Sequence, residues 1–166
     1  MILGAPGSGK TTLLRYLAHV ESGRSDGLLP VFVSLRQYAM LLRGGRRLSL
    51  KEFAFRQAAG DDGELRDALA QAERLLWLCD DVESLYLFRE SVISEFTELP
   101  GLLVLTSRPV GYRIAGFESV THFELLPMSG EEIDRCIDET FLSLSEERQT
   151  IWDWAEGRTA WLKQQF

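Results

Sequence analysis

Residues 4–11 read Gly4-Ala5-Pro6-Gly7-Ser8-Gly9-Lys10-Thr11. Glycine, four residues, Gly-Lys and then a hydroxyl side chain is the spacing of a phosphate-binding loop. Glycines let the backbone curl around a phosphate with its N–H groups pointing inward. A helix starting at Gly9 aims its positive dipole end at the same group. Lys10 reaches the β- and γ-phosphates, and the Thr11 hydroxyl ligates Mg²⁺. The bland alternative is a Gly-rich turn whose lysine faces solvent. The context argues against it, because an apolar stretch precedes the loop and an amphipathic helix follows.

Two more polar clusters follow apolar runs. In Leu75-Leu76-Trp77-Leu78-Cys79-Asp80-Asp81-Val82-Glu83, acids close a buried strand, as in a Walker B element. Asp80 would hold the Mg²⁺ hydration shell, and Asp81 or Glu83 would polarise an attacking water. The alternative is that these acids cap the helix beginning near Ser84. In Leu102-Leu103-Val104-Leu105-Thr106-Ser107-Arg108-Pro109, Arg108 is placed to read a γ-phosphate and relay its loss. The alternative is a surface arginine paired with nearby acids. All three clusters come just after a predicted parallel strand, where ligands of open α/β sheets bind.

The elements that must position them alternate between strand and helix, the pattern of a parallel sheet with crossover helices. Met1–Leu3 reads as the remnant of a first strand, and Lys10 to about His19 as a helix. Pro30–Leu35 is a strand, and Gln37–Leu42 a short helix. Arg43, Arg46 and Arg47 form a basic turn read as solvated, with contact to a partner or a neighbouring protomer as the alternative. Ser49 with Glu52 is a capping box opening a helix to about Ala59. Glu64–Arg74 is a further helix, Leu75–Cys79 a buried central strand, and Leu85–Leu99 one helix ended by Pro100 and Gly101. Leu102–Thr106 and Val120–Leu125 are strands. Ser129 with Glu132 is a second capping box, for a helix to about Phe141. Residues 145–166 read mostly as helix, bent near Gly157, with Trp152, Trp154 and Trp161 either packing on the core or forming an apolar face for a further domain to cover.

Composition sets the frame. The chain has 166 residues, 45% hydrophobic and 26% charged, which suits one globular domain and excludes disorder or a disulfide-framed mini-protein. The net charge is −7, split unevenly. Residues 1–60 carry nine lysines and arginines against three acids, a net of +6, and the remainder nine against twenty-two, a net of −13. The acidic total argues against direct nucleic-acid or membrane partners. Cys79 and Cys136 match no metal or redox spacing. Both read as packed thiols, and Cys79 as reduced and buried. No apolar run approaches the roughly 20 residues of a membrane span, and no signal peptide is evident. The expectation is a cytoplasmic protein.

Together these residues make the sequence resemble a NACHT-type NTPase of the STAND class of signal-transduction ATPases, with NB-ARC-like relatives. The resemblance is carried by Gly4 through Thr12 with Leu13-Leu14, by Pro30-Val31-Phe32-Val33-Ser34-Leu35-Arg36, by the acids at 79–83 and by Thr106-Ser107-Arg108-Pro109. It implies a three-layer α/β fold, a parallel sheet in the order 5-1-4-3-2, and ATP or ADP with Mg²⁺ as ligands. Residues Gly4–Thr12 would bind the nucleotide. Thr11 and Asp80 would hold the metal, and Asp81, Glu83 and Arg108 would act in catalysis. It also implies partners: other protomers on activation, and effector and sensor domains outside this sequence. Residues 1–142 would form the NTPase core, and 143–166 would begin a helical or winged-helix region. One departure stands out. The family pattern is Asp, a small residue, an apolar residue, Asp, then Glu. Starting it at Asp80 puts Glu83 at the second acid and Ser84 where the final Glu belongs, and shifting the register by one restores that Glu only by putting Cys79 in the metal position. A neutral thiol suits hard Mg²⁺ poorly, so Asp80 is the preferred first acid.

The leading expectation is therefore an ATP-binding, ATP-hydrolysing switch in immune or antiphage-type signalling. A nucleotide-holding scaffold with little turnover is the main rival, and a small-molecule P-loop kinase a more distant one.

Overall fold

A computed structural model of the chain describes residues 1–109 and 120–147. Two compact units are present, Met1–Leu125 and Leu126–Phe166.

The first unit is built on a five-stranded parallel sheet: β1 (Ile2–Leu3), β2 (Leu29–Ser34), β3 (Leu75–Asp80), β4 (Leu102–Ser107) and β5 (Phe123–Glu124). Its order is β2-β3-β4-β1-β5, which read from the other edge is 5-1-4-3-2, as the resemblance implied. The two-residue β1 sits between β4 and β5, with Ile2 opposite Thr106 and Phe123.

The run Leu75–Cys79 has no polar alternation because helices cover both faces of the sheet. Side chains alternate between those faces. Leu76 and Leu78 pack with Leu14 of α1 (Lys10–Ser22). Leu75, Trp77 and Cys79 join the larger core, which also contains residues of α2 (Leu35–Arg43), α3 (Leu50–Ala59) and α5 (Arg89–Thr97). Trp77 stacks on Phe55, with centroids 5.6 Å apart, and its indole N–H donates to Pro100 O at 2.7 Å. Phe55 belongs to α3, whose start is fixed as expected: Ser49 Oγ accepts from the Glu52 N–H at 3.2 Å. A nine-residue helix, α4 (Gly63–Gln71), is capped by Asp62 and leads into β3.

The structure departs from the sequence reading in several places. Residues 85–99 are not one helix. A 3₁₀ helix spans Val82–Phe88 and α5 follows it. The reason is the spacing of the buried side chains: Val82 and Leu85 are buried and Phe88 half-buried, a repeat of three that matches three residues per turn. From Val92 to Phe96 the buried spacing is four, and the helix becomes α. Helix α2 starts at Leu35, in what read as the end of a strand, because Ser34 caps it through the Gln37 N–H. Helix α1 continues past His19 to Ser22, where Gly23 ends it.

The second unit contributes α6 (Gly130–Glu147). Ser129 and Glu132 form the expected reciprocal cap: Ser129 N–H donates to Glu132 Oε2 at 2.7 Å, and Glu132 N–H to Ser129 Oγ at 3.3 Å. The Ser129 backbone bond holds the Glu132 carboxyl below its usual range. α6 runs past Phe141, the end read from the sequence, to Glu147. Cys136, expected to pack, is exposed on this helix. The Gly157 bend and Trp152, Trp154 and Trp161 lie outside the described residues. Among the described residues no helix is long and apolar enough to cross a membrane.

Candidate functional site

The carboxyl ends of the strands converge on a cleft of about 280 Å³. It is lined by Pro6, Gly7, Lys10, Thr11, Asp80, Asp81, Glu83 and Arg108, together with Ser34 and Arg36. Strand geometry explains the convergence. β1 delivers the glycine loop, β3 the acids and β4 the arginine, and parallel strands all end on the same side.

The loop's conformation depends on its glycines. Gly7 and Gly9 adopt φ of 77° and 87°, left-handed values that side chains resist. Gly4 sits so close to Ser8 that a Cβ there would fall 2.5 Å from Ser8 Oγ. The Lys10 ammonium donates to the carbonyls of Gly4 and Ala5, both at 2.8 Å. Ser8 Oγ is buried without a hydrogen-bond partner, the one such side-chain atom among the described residues. A buried hydroxyl without a partner is costly. Its place in a loop with one cationic side chain suits an anionic ligand.

Thr11, in the first turn of α1, donates its hydroxyl to Asp80 Oδ2 at 2.6 Å. The other oxygen, Oδ1, accepts from Thr106 Oγ1 at 2.6 Å, and Thr106 Oγ1 in turn accepts from the Asp81 N–H at 3.0 Å. Asp80 thus links the ends of β3 and β4 to the phosphate loop. Cys79 is fully buried in the strand, with its thiol pushed far up by desolvation. Asp80 and not Cys79 faces Thr11. The hydroxyl–carboxylate pair is a set of hard oxygen donors that fits Mg²⁺, a metal that keeps several waters and few protein ligands. Among the described residues no cluster of three or more His, Cys, Asp or Glu forms a fuller cage.

The remaining acids are engaged elsewhere. Asp81 holds a left-handed backbone, φ 72°, and its Oδ2 accepts from Ser84 Oγ at 2.5 Å. Glu83 receives both the Arg108 Nε at 3.0 Å and the Arg108 N–H at 3.3 Å. Burial pushes the Glu83 carboxyl above the ordinary range, against the pull of its own backbone N–H, and the nearby Asp81 charge raises it further. Thr12 follows Thr11 on α1 but does not line the cleft.

Sequence reasoning placed Ser34, Arg36 and Thr106 in the segments that carry the resemblance but gave none of them a role at this site. Thr106 bridges Asp80 to Asp81, and Ser34 and Arg36 line the cleft from β2 and α2. The signal in the sequence was only their place in those segments; the register that sets Ser34 directly opposite Asp80 comes from the fold.

The family model described as NACHT domain matches residues 1–143. A comparison with curated proteins gave no match.

Proposed function

Because this chain belongs to the NACHT family of P-loop NTPase domains, we propose that it is an ATP-binding and ATP-hydrolysing switch. Nucleotide binding is the property that family membership carries. The observation supporting the finer reading is the Thr11–Asp80 hydrogen bond, which joins the phosphate loop to the acid at the end of β3.

In this mechanism the loop N–H groups and Lys10 neutralise the β- and γ-phosphates. Thr11 and Asp80 would hold Mg²⁺, which supplies further charge neutralisation when bound. Asp81 or Glu83 orients a water and accepts its proton while the water oxygen bonds to the γ-phosphorus and the bond to ADP breaks. The raised affinity of Glu83 for protons brings it nearer the working pH, as suits a general base. Arg108 responds to the γ-phosphate, and its loss shifts the population between two arrangements. Residues 1–142 would act as the nucleotide core and 143–166 as the start of a helical region. The switch would couple nucleotide state to assembly with other protomers and to effector and sensor domains, in immune or antiphage-type signalling.

Isothermal titration of the folded chain with Mg-ATP tests the first step, and absence of binding would overturn it. A second reading, a nucleotide-holding scaffold, draws on the occupied state of the acids: Glu83 is tied to Arg108 and Asp81 to Ser84. It expects phosphate release that is slow and unchanged by Glu83→Ala. Turnover abolished by that substitution would exclude it.

A further inference from the structure

Three cations line the cleft: Lys10, Arg36 and Arg108. Two are held by the protein itself, Lys10 by the carbonyls of Gly4 and Ala5 and Arg108 by Glu83. Arg36 makes no hydrogen bond or ion pair among the described residues, although Asp80, Asp81 and Glu83 line the same cleft. Its position also runs against local helix energetics. Arg36 is the second residue of α2, and that first turn carries no acid. A cation there faces the positive end of the helix dipole, where an anion is favoured. Neither an ion pair nor helix preference accounts for a guanidinium at this point.

The geometry points to Arg36 as a specificity-determining residue that contacts the terminal phosphate of a bound nucleoside triphosphate and so favours triphosphate over diphosphate. This rests on the nucleotide-binding reading above. Sheet order limits which phosphate it can meet. β2 lies three strand intervals from β1, roughly 14 Å at the usual spacing. The phosphates cradled by the loop after β1 are therefore the far ones for Arg36. The near one is the terminal phosphate, which lies toward the acids of β3, next to β2. A guanidinium suits that group because its fork of donors matches phosphate oxygens.

The test is isothermal titration of Mg-bound AMP-PNP, a non-hydrolysed triphosphate analogue, and of Mg-ADP. The titrated proteins are the parent chain, Arg36→Ala, Arg36→Gln and Arg36→Lys. The side chain is exposed, so thermal unfolding without ligand should be unchanged, and two neutral variants guard against a folding defect in either. The expected result is about a tenfold loss of affinity for AMP-PNP in both neutral variants, the scale of one charge-assisted contact. Affinity for ADP should stay within about twofold, and Arg36→Lys should recover part of the loss. Equal losses for the two nucleotides, or no loss for AMP-PNP, would overturn the assignment. A parent chain that binds neither nucleotide would overturn the nucleotide-binding reading and this inference with it.

Discussion

Thr11 Oγ1 donates to Asp80 Oδ2 at 2.6 Å, joining residues 69 positions apart. One stands in the first turn of α1 and the other on the last position of β3. If that pair holds Mg²⁺, Thr11→Val, which keeps the shape and removes the hydroxyl, should abolish the metal's effect on nucleotide affinity. With a chelator present, parent and variant should bind ATP alike. With Mg²⁺ the parent should gain about tenfold and the variant little, since the metal loses one of its few protein ligands. Titration calorimetry in both buffers measures this, and an equal gain in both proteins would argue against the pair as the metal site.

Lys10→Ala should remove ligand stabilisation. At about 100 times the dissociation constant, a ligand bound only to the native state adds about 2.7 kcal/mol. For a domain of this size that is a shift of roughly 5–10 °C in the unfolding midpoint. The parent should show it with Mg-ATP and Lys10→Ala should not at the same concentration. Differential scanning calorimetry reads both.

Glu83 gives a pH-dependent prediction. Its carboxyl lies above the ordinary range, with burial as the main cause. The folded state therefore favours the protonated form. The stability this contributes is complete below the unfolded-state value, about 4.3, and is lost as pH rises through the folded-state value. Glu83→Gln, a permanent neutral mimic, should make the ligand-free chain more stable than the parent at pH 7–8. The difference should shrink toward zero near pH 4. Denaturant unfolding across that range checks it, and a deficit of the variant at pH 7–8 that vanishes toward pH 4 would show that the Arg108 ion pair outweighs burial.

Trp77 is fully buried, stacked on Phe55 and bonded to Pro100 O. Trp77→Phe should cost about 1–3 kcal/mol, because the Pro100 carbonyl loses its donor. Trp77→Ala should cost about 3–5 kcal/mol through the cavity it leaves. Against a typical total of about 5–15 kcal/mol, the second is enough to bring the chain near unfolding at 37 °C. Equilibrium urea unfolding with an unchanged slope would attribute the loss to packing.

Much of this molecule was legible in its sequence, because the deciding physics is local. The glycines that need left-handed backbone, the lysine and threonine after them, and the unbroken apolar run of β3 follow from neighbours a few residues away. So do the helix caps at Ser49 and Ser129. What tertiary structure alone decided is which polar groups meet. Ser34 stands level with Asp80 only because β2 and β3 pair in that register, and Arg36 enters the cleft only because β2 turns into α2 there. Thr106 divides its hydrogen bonds between Asp80 and Asp81 because β4 lies beside β3. Likewise, the pairing of Arg108 with Glu83 depends on two chain segments 25 residues apart. Such contacts depend on strand order and register, which long-range packing sets and no short stretch of sequence encodes.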